Sequence, residues 1–157
     1  MTLYLMRHAE AGQENHRRWP DDRMRPVSAR GHREHMLVSR SLRRMGVRFD
    51  RLLTSPLVRA RQTAEIIARA YGRRVVPEET DALGDEARLK DLLRELRRLP
   101  RDASVVAVGH EPFLSKAVAA LMSPDGSARV AMRKSGVAAL EFDGRAKKGR
   151  GTLLFHL

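Results

Sequence analysis

The chain contains no cysteine. That absence removes disulfides, thiolate metal sites and a cysteine nucleophile together, and it fits a reducing compartment. Aromatic residues are scarce, at 4% with a single tryptophan, which leaves little surface on which single-stranded nucleic acid could stack. No apolar run approaches the roughly 18 residues that span a bilayer. The first apolar run meets polar residues by position 7, which does not suit a secretory leader. A cytoplasmic protein without membrane contact is expected. Internal repeats and low-complexity segments are also missing.

What the chain has in abundance is positive charge, with 31 Lys+Arg against 19 Asp+Glu and a net charge of +12. Such a balance raises the question of nucleic-acid binding. The arginines, however, are spread along predicted helices, as in Arg43-Arg44, Arg94, Arg97-Arg98 and Arg101, and only Arg145 to Arg150 forms a compact basic cluster. The pattern reads as a solvated surface that favours anionic substrates rather than nucleic acid. A length of 157 residues suits one domain, spanning 1–157, that buries a core without staples.

Short unalternated apolar runs predict parallel strands buried on both faces at Leu3 to Met6, Arg51 to Thr54, Val75-Val76 and Ser104 to Val108. Helical spacing alternates with them. Ser28 caps a predicted helix from Ala29 to Met45 with His35, Val38, Leu42 and Met45 on one face, and Gly46 stops it. Pro56 opens a helix to about Tyr71 with Ala60, Ala64, Ile67, Ala68 and Tyr71 facing the core. A third helix starts at Asp85 or Glu86, and a fourth at Pro112 buries Leu114, Ala117, Val118 and Leu121. Val137 to Phe142 and Thr152 to Phe155 read as closing strands around Asp143-Gly144. The expected fold is α/β, a three-layer α/β/α arrangement with a largely parallel central sheet and late edge strands, antiparallel where they join it.

Chemistry collects just beyond three predicted strand ends. The first delivers Arg7-His8-Ala9-Glu10. The second delivers Ser55-Pro56-Leu57-Val58-Arg59-Ala60-Arg61-Gln62-Thr63-Ala64, with Arg59 in an opening helical turn. The third delivers Gly109-His110-Glu111-Pro112. In open α/β sheets ligands bind at the carboxyl ends of the strands. A phosphoryl group in transfer spreads charge over three equatorial oxygens that fixed donors must clamp. Arginine supplies a permanent planar fork, a helix N-terminus adds amides, and a neutral imidazole is a competent nucleophile.

These three motifs resemble the signatures of the histidine phosphatase superfamily, the phosphoglycerate-mutase-like fold, and within it the short SixA-type phosphohistidine phosphatases. Arg25-Pro26-Val27-Ser28-Ala29-Arg30-Gly31, Leu83-Gly84-Asp85 and Lys134-Ser135-Gly136 fit further landmarks, so the resemblance covers essentially the whole chain. It implies that His8 is a nucleophile that becomes transiently phosphorylated. It implies that Arg7, Arg59 and His110 hold the phosphoryl oxygens, His110 also donating a proton to one. It implies neither metal nor cofactor. Two positions depart from the family pattern. Glu14 stands where many members carry a phosphate-contacting Asn, with Asn15 one step late. Ala82 falls where ester-cleaving members carry an acid, with Asp81 or Glu79 as the available stand-ins.

Other candidates weigh less. His32 and His35 have an i, i+3 spacing that could ligate metal, but no third ligand is evident and a solvated helix face is the expectation. Glu10 and Glu111 either orient neighbouring groups or are exposed loop carboxylates. Trp19 reads as a loop anchor, and His16 and His156 as bystanders. The expected activity is a metal-independent phosphatase working through a phosphohistidine intermediate, with phosphohistidine on a protein as substrate. A small-molecule phosphomonoesterase is the alternative, and a non-catalytic basic module binding RNA or an anionic partner the second.

Overall fold

Alternation of side chains along the apolar runs decides the layers. The structure, a computed structural model, describes residues 1–157. In its first strand, β1 (Thr2–Arg7), Leu3 and Leu5 enter one buried cluster while Tyr4 and Met6 enter another on the opposite face. The first cluster takes Leu92 and Leu96 of α3 (Leu89–Arg97) and Leu114, Val118 and Leu121 of α4 (Phe113–Met122). The second takes Leu42 of α1 (Ala29–Arg44) and Ala60, Ala64 and Ile67 of α2 (Val58–Ala70). A six-stranded sheet is therefore covered by helices on both faces, and the three-layer α/β/α fold stands as expected. Leu3, Leu5 and Leu114 are fully shielded, and truncating such a side chain to alanine typically costs about 2–5 kcal/mol.

The remaining strands are β2 (Arg51–Thr54), β3 (Pro77–Glu79), β4 (Ser104–Gly109), β5 (Val137–Glu141) and β6 (Thr152–His156), in the order β3-β2-β4-β1-β5-β6. The first four are mutually parallel where they pair. β5 joins β1 antiparallel and β6 closes the edge antiparallel to β5. In-register pairing of Arg7 with Gly109 brings the ends of β1 and β4 level, so the residues that follow them emerge side by side.

Three sequence expectations shift. The third strand is not Val75-Val76 but Pro77–Glu79, because its register is set by pairing with Leu52, Leu53 and Thr54 of β2. Proline is tolerated at the start of an edge strand, and Val76 is 74% exposed. The third helix begins at Leu89 rather than Asp85 or Glu86, since Gly84 to Ala87 forms a turn and Arg88 stays extended. Met45 caps α1 in solvent instead of joining its apolar face.

Candidate functional site

His8 and His110 each follow the last residue of a strand, β1 and β4 respectively. The His8 amide donates to the Gly109 carbonyl at 3.1 Å, and its own carbonyl accepts from Ser135 at 3.2 Å. This pins the residue between the end of β4 and the segment entering β5. The two imidazoles lie 5.0 Å apart between ring centroids, tilted by 47°. Arg59 is the second residue of α2, and its guanidinium charge and that of Arg7 act on both rings. The four residues singled out at three strand ends thus come together at the carboxyl edge of the sheet.

The hydrogen bonds define what each group offers. His8 Nδ1 lies 2.6 Å from the Ala9 carbonyl oxygen. A carbonyl only accepts, so Nδ1 carries the proton and, in the neutral ring, Nε2 presents its lone pair. Arg7 donates Nη1 to the Met132 carbonyl at 2.9 Å, and Arg59 donates Nη1 to the Asp22 carbonyl at 2.8 Å. His110 Nε2 sits 2.8 Å from Ser55 Oγ. Against these satisfied atoms stand Arg7 Nε, Arg59 Nε and His110 Nδ1, buried and without a partner. Buried polar groups are rarely left so.

Burial, and then the charges of Arg59 and Arg7, hold His8 at a pKa of about 4 against the opposing pull of the Ala9 carbonyl. Burial first, then His8 and the two arginines, takes His110 to about 3. Both rings are neutral at pH 7. A neutral imidazole with a free nitrogen, flanked by fixed cations, is equipped to attack an anionic electrophile.

Other side chains hold the four in place or organise the segments around them. Asp22 follows a long loop and starts a single 3₁₀ turn, Asp22–Met24. Its carboxylate accepts from Arg25 at 2.7 Å and pairs with Arg59 at 3.1 Å. Thr63 accepts from the Ala9 amide and donates to the Arg59 carbonyl, joining the β1 exit to α2. Glu10 accepts from Gly12 and Ser28, so it organises the loop rather than standing free in solvent. Here α1 comes so close that a Cβ on Gly31 would lie 2.1 Å from the Glu10 carbonyl oxygen. Glu111 accepts from the amide and hydroxyl of Ser115 inside α4. Asn15 accepts from the amides of Arg17 and Arg18 and so forms a turn. Trp19 is half-buried beneath Arg18.

Asp81 and Glu79 stand apart from the four. Both are exposed, Glu79 pairs with Arg61 at 3.4 Å, and they border a surface cavity that includes none of His8, Arg7, Arg59 or His110. Ala82 is buried beside them.

The solvated-face reading of His32 and His35 fails for His35, which is fully buried with both ring nitrogens unpartnered. Its place on the Leu42 stripe of α1 was the available signal. Burial, with smaller contributions from His8 and His32, lowers its pKa to about 4. The unfolded chain, with histidine near 6.5, therefore binds more protons than the folded one between about pH 6.5 and about pH 4. Stability is fully present above pH 6.5 and falls as pH drops through that window. Each such histidine contributes a slope of up to about 1.4 kcal/mol per pH unit. Denaturant titrations at pH 7, 6, 5 and 4.5 should show a shallower decline in His35→Leu than in the parent chain. Parallel declines would remove His35 as a contributor.

Comparison with known proteins places this geometry. Residues 3–85 match the model of the histidine phosphatase superfamily, branch 1. An uncharacterised protein of Picosynechococcus sp. is 34% identical over 143 residues, covering 89% of this chain and 84% of that protein. Phosphohistidine phosphatase SixA of Escherichia coli is 29% identical over 156 residues, 97% of this chain and 90% of that one. The solved structure of the protein histidine phosphatase SixA complexed with tungstate superposes with a TM-score of 0.85 at 26% identity, covering 100% of this chain and 96% of that one. The chain belongs to the histidine phosphatase superfamily, branch 1.

Proposed function

We propose that this chain is a single-domain, metal-independent phosphohistidine phosphatase, with His8 as nucleophile and a protein-borne phosphohistidine as substrate. One observation carries the reading: beside a neutral His8 with a free Nε2, three buried nitrogens on Arg7, Arg59 and His110 lack any partner. An oxyanion seated among them would satisfy all three. The relative that binds tungstate, itself an oxyanion, supports the same reading.

His8 Nε2 attacks phosphorus as the bond from phosphorus to the substrate imidazole breaks. The departing nitrogen takes a proton from solvent. Arg7 and Arg59 hold the equatorial oxygens, whose charge they were already fixed to meet. In the tautomer whose Nε2 accepts from the Ser55 hydroxyl 2.8 Å away, the neutral His110 ring carries its proton on Nδ1 and donates that N–H to a phosphoryl oxygen. Water then attacks the phosphohistidine, His8 leaves with its electron pair, and orthophosphate departs. No further domain is inserted among the helices and strands, an architecture that suits a substrate as large as a protein side chain.

The leaving group tests the substrate assignment. An imidazole can be protonated before it departs, whereas an alkoxide needs a positioned acid worth roughly 10²–10⁴-fold. Ala82 offers none, and the Glu79 carboxylate is engaged by Arg61. The expected order of kcat/KM is phosphohistidine protein, then an aryl phosphate, then an alkyl phosphate, with Glu79→Gln/Asp81→Asn leaving the first unchanged. Equal rates on alkyl phosphate and phosphohistidine, with the ester rate collapsing in that double variant, would make the chain a small-molecule phosphatase.

A further inference from the structure

The arginines away from the site are unevenly used. Nine arginines pair with acids, among them Arg30 with Glu34, Arg51 with Glu78, Arg94 with Asp91 and Arg98 with Glu95. One cavity gathers five that do not. It is walled by Arg40, Arg43 and Arg44 of α1, Arg48 just beyond it, and Arg69 of α2, with no acidic residue in the wall. None of the five has a carboxylate within 4.0 Å, and the wall concentrates them without an intervening acid.

Like charges at i, i+3 and i, i+4 destabilise a helix, and Arg40, Arg43 and Arg44 stand in that relation. The negative ends of α1 and α2 offset part of this for Arg43, Arg44 and Arg69, which lie in last turns. They do not account for Arg40, a turn earlier, or for Arg48, outside the helix. Internal hydrogen bonds use few of the donors. Arg43 donates to the Ala70 carbonyl at 2.8 Å, tying the two helix ends together, Arg48 to the Val47 carbonyl at 3.2 Å, and Arg44 to Ser41 Oγ at 3.4 Å. Arg40 and Arg69 make none. Each guanidinium carries five N–H groups, so a preformed hollow of unpartnered donors remains.

We infer that this hollow is a second anion site, distinct from the phosphoryl site, whose ligand is a linear inorganic oligophosphate. Ser28 at the start of α1 bonds to the Glu10 carbonyl, two residues past His8, and the sixteen residues of α1 then run about 24 Å at 1.5 Å per residue. The hollow is thus remote from His8. Guanidinium forks match phosphate oxygens two at a time, and several forks around one concavity suit several linked phosphates better than a single one. The wall holds no aromatic side chain, so it offers nothing for a base to stack on.

Calorimetric titration with tripolyphosphate tests this against the parent chain, R40Q/R69Q and Arg59→Ala. Arg40 and Arg69 are exposed and make no side-chain hydrogen bond or ion pair that a glutamine would break. R40Q/R69Q should weaken tripolyphosphate binding at least tenfold, keep phosphatase activity, and abolish the rise in Tm that the ligand gives the parent. Arg59→Ala should change that binding less than threefold, and orthophosphate should bind at least tenfold more weakly than tripolyphosphate. Loss of binding in Arg59→Ala but not in R40Q/R69Q would overturn the second site. A twelve-nucleotide single-stranded RNA binding more tightly than tripolyphosphate, with the same dependence on Arg40 and Arg69, would overturn the ligand in favour of nucleic acid.

Discussion

Replacing His8 by alanine is expected to lower kcat by at least about 10⁴-fold, the scale on which removing a nucleophile acts, while the chain stays folded. The side chain is buried at the end of β1, but its single hydrogen bond goes to its own neighbour, the Ala9 carbonyl. The strand is held without it, by the parallel register with β4 and the antiparallel register with β5. Circular dichroism and Tm close to the parent, together with lost turnover on phosphohistidine protein, is the expected pair of results. Activity within tenfold of the parent would remove His8 as nucleophile.

The second large effect belongs to Arg59. Removing one fixed donor to a transition-state oxyanion typically costs about 10²–10³-fold, and Arg59→Ala should lower kcat/KM by that amount. Arg61→Ala, two residues on, should be nearly silent. The contrast rests on placement. Arg59 is 8% exposed, bonded to the Asp22 carbonyl and paired with its carboxylate, and keeps Nε unpartnered. Arg61 is exposed, with only a 3.4 Å pair to Glu79, and exposed pairs are worth about 0–1 kcal/mol. Steady-state kinetics on both variants decides the matter; similar losses in the two would mean that the second motif is misread.

The layers were legible because burial on both faces leaves an unalternated apolar signature, as in Leu3 to Met6 and Val105 to Val108. His8, His110 and Arg59 were legible because each follows such a signature or opens the helix after it. Asp22 was not, since a carboxylate delivered by the long polar stretch between β1 and α1 shows neither period nor motif. Ser55 stood inside a motif, but its contact with His110 depends on β2 and β4 ending side by side, which only the sheet order creates. β3 was displaced because pairing with β2, rather than the apolar pair Val75-Val76, sets an edge register. His35 shows the reverse failure. Its position on the Leu42 stripe spoke for burial, and the adjacent polar residues of α1 masked it.

The central claim is that phosphate passes through His8. Rapid-quench reaction with ³²P-labelled phosphohistidine protein, stopped in alkaline detergent where phosphohistidine survives, tests it directly. The account predicts a transient label on the peptide that contains His8, lost on brief acid treatment and absent in His8→Ala. Label on another residue, label persisting in His8→Ala, or release of phosphate with no labelled enzyme at any time would contradict it.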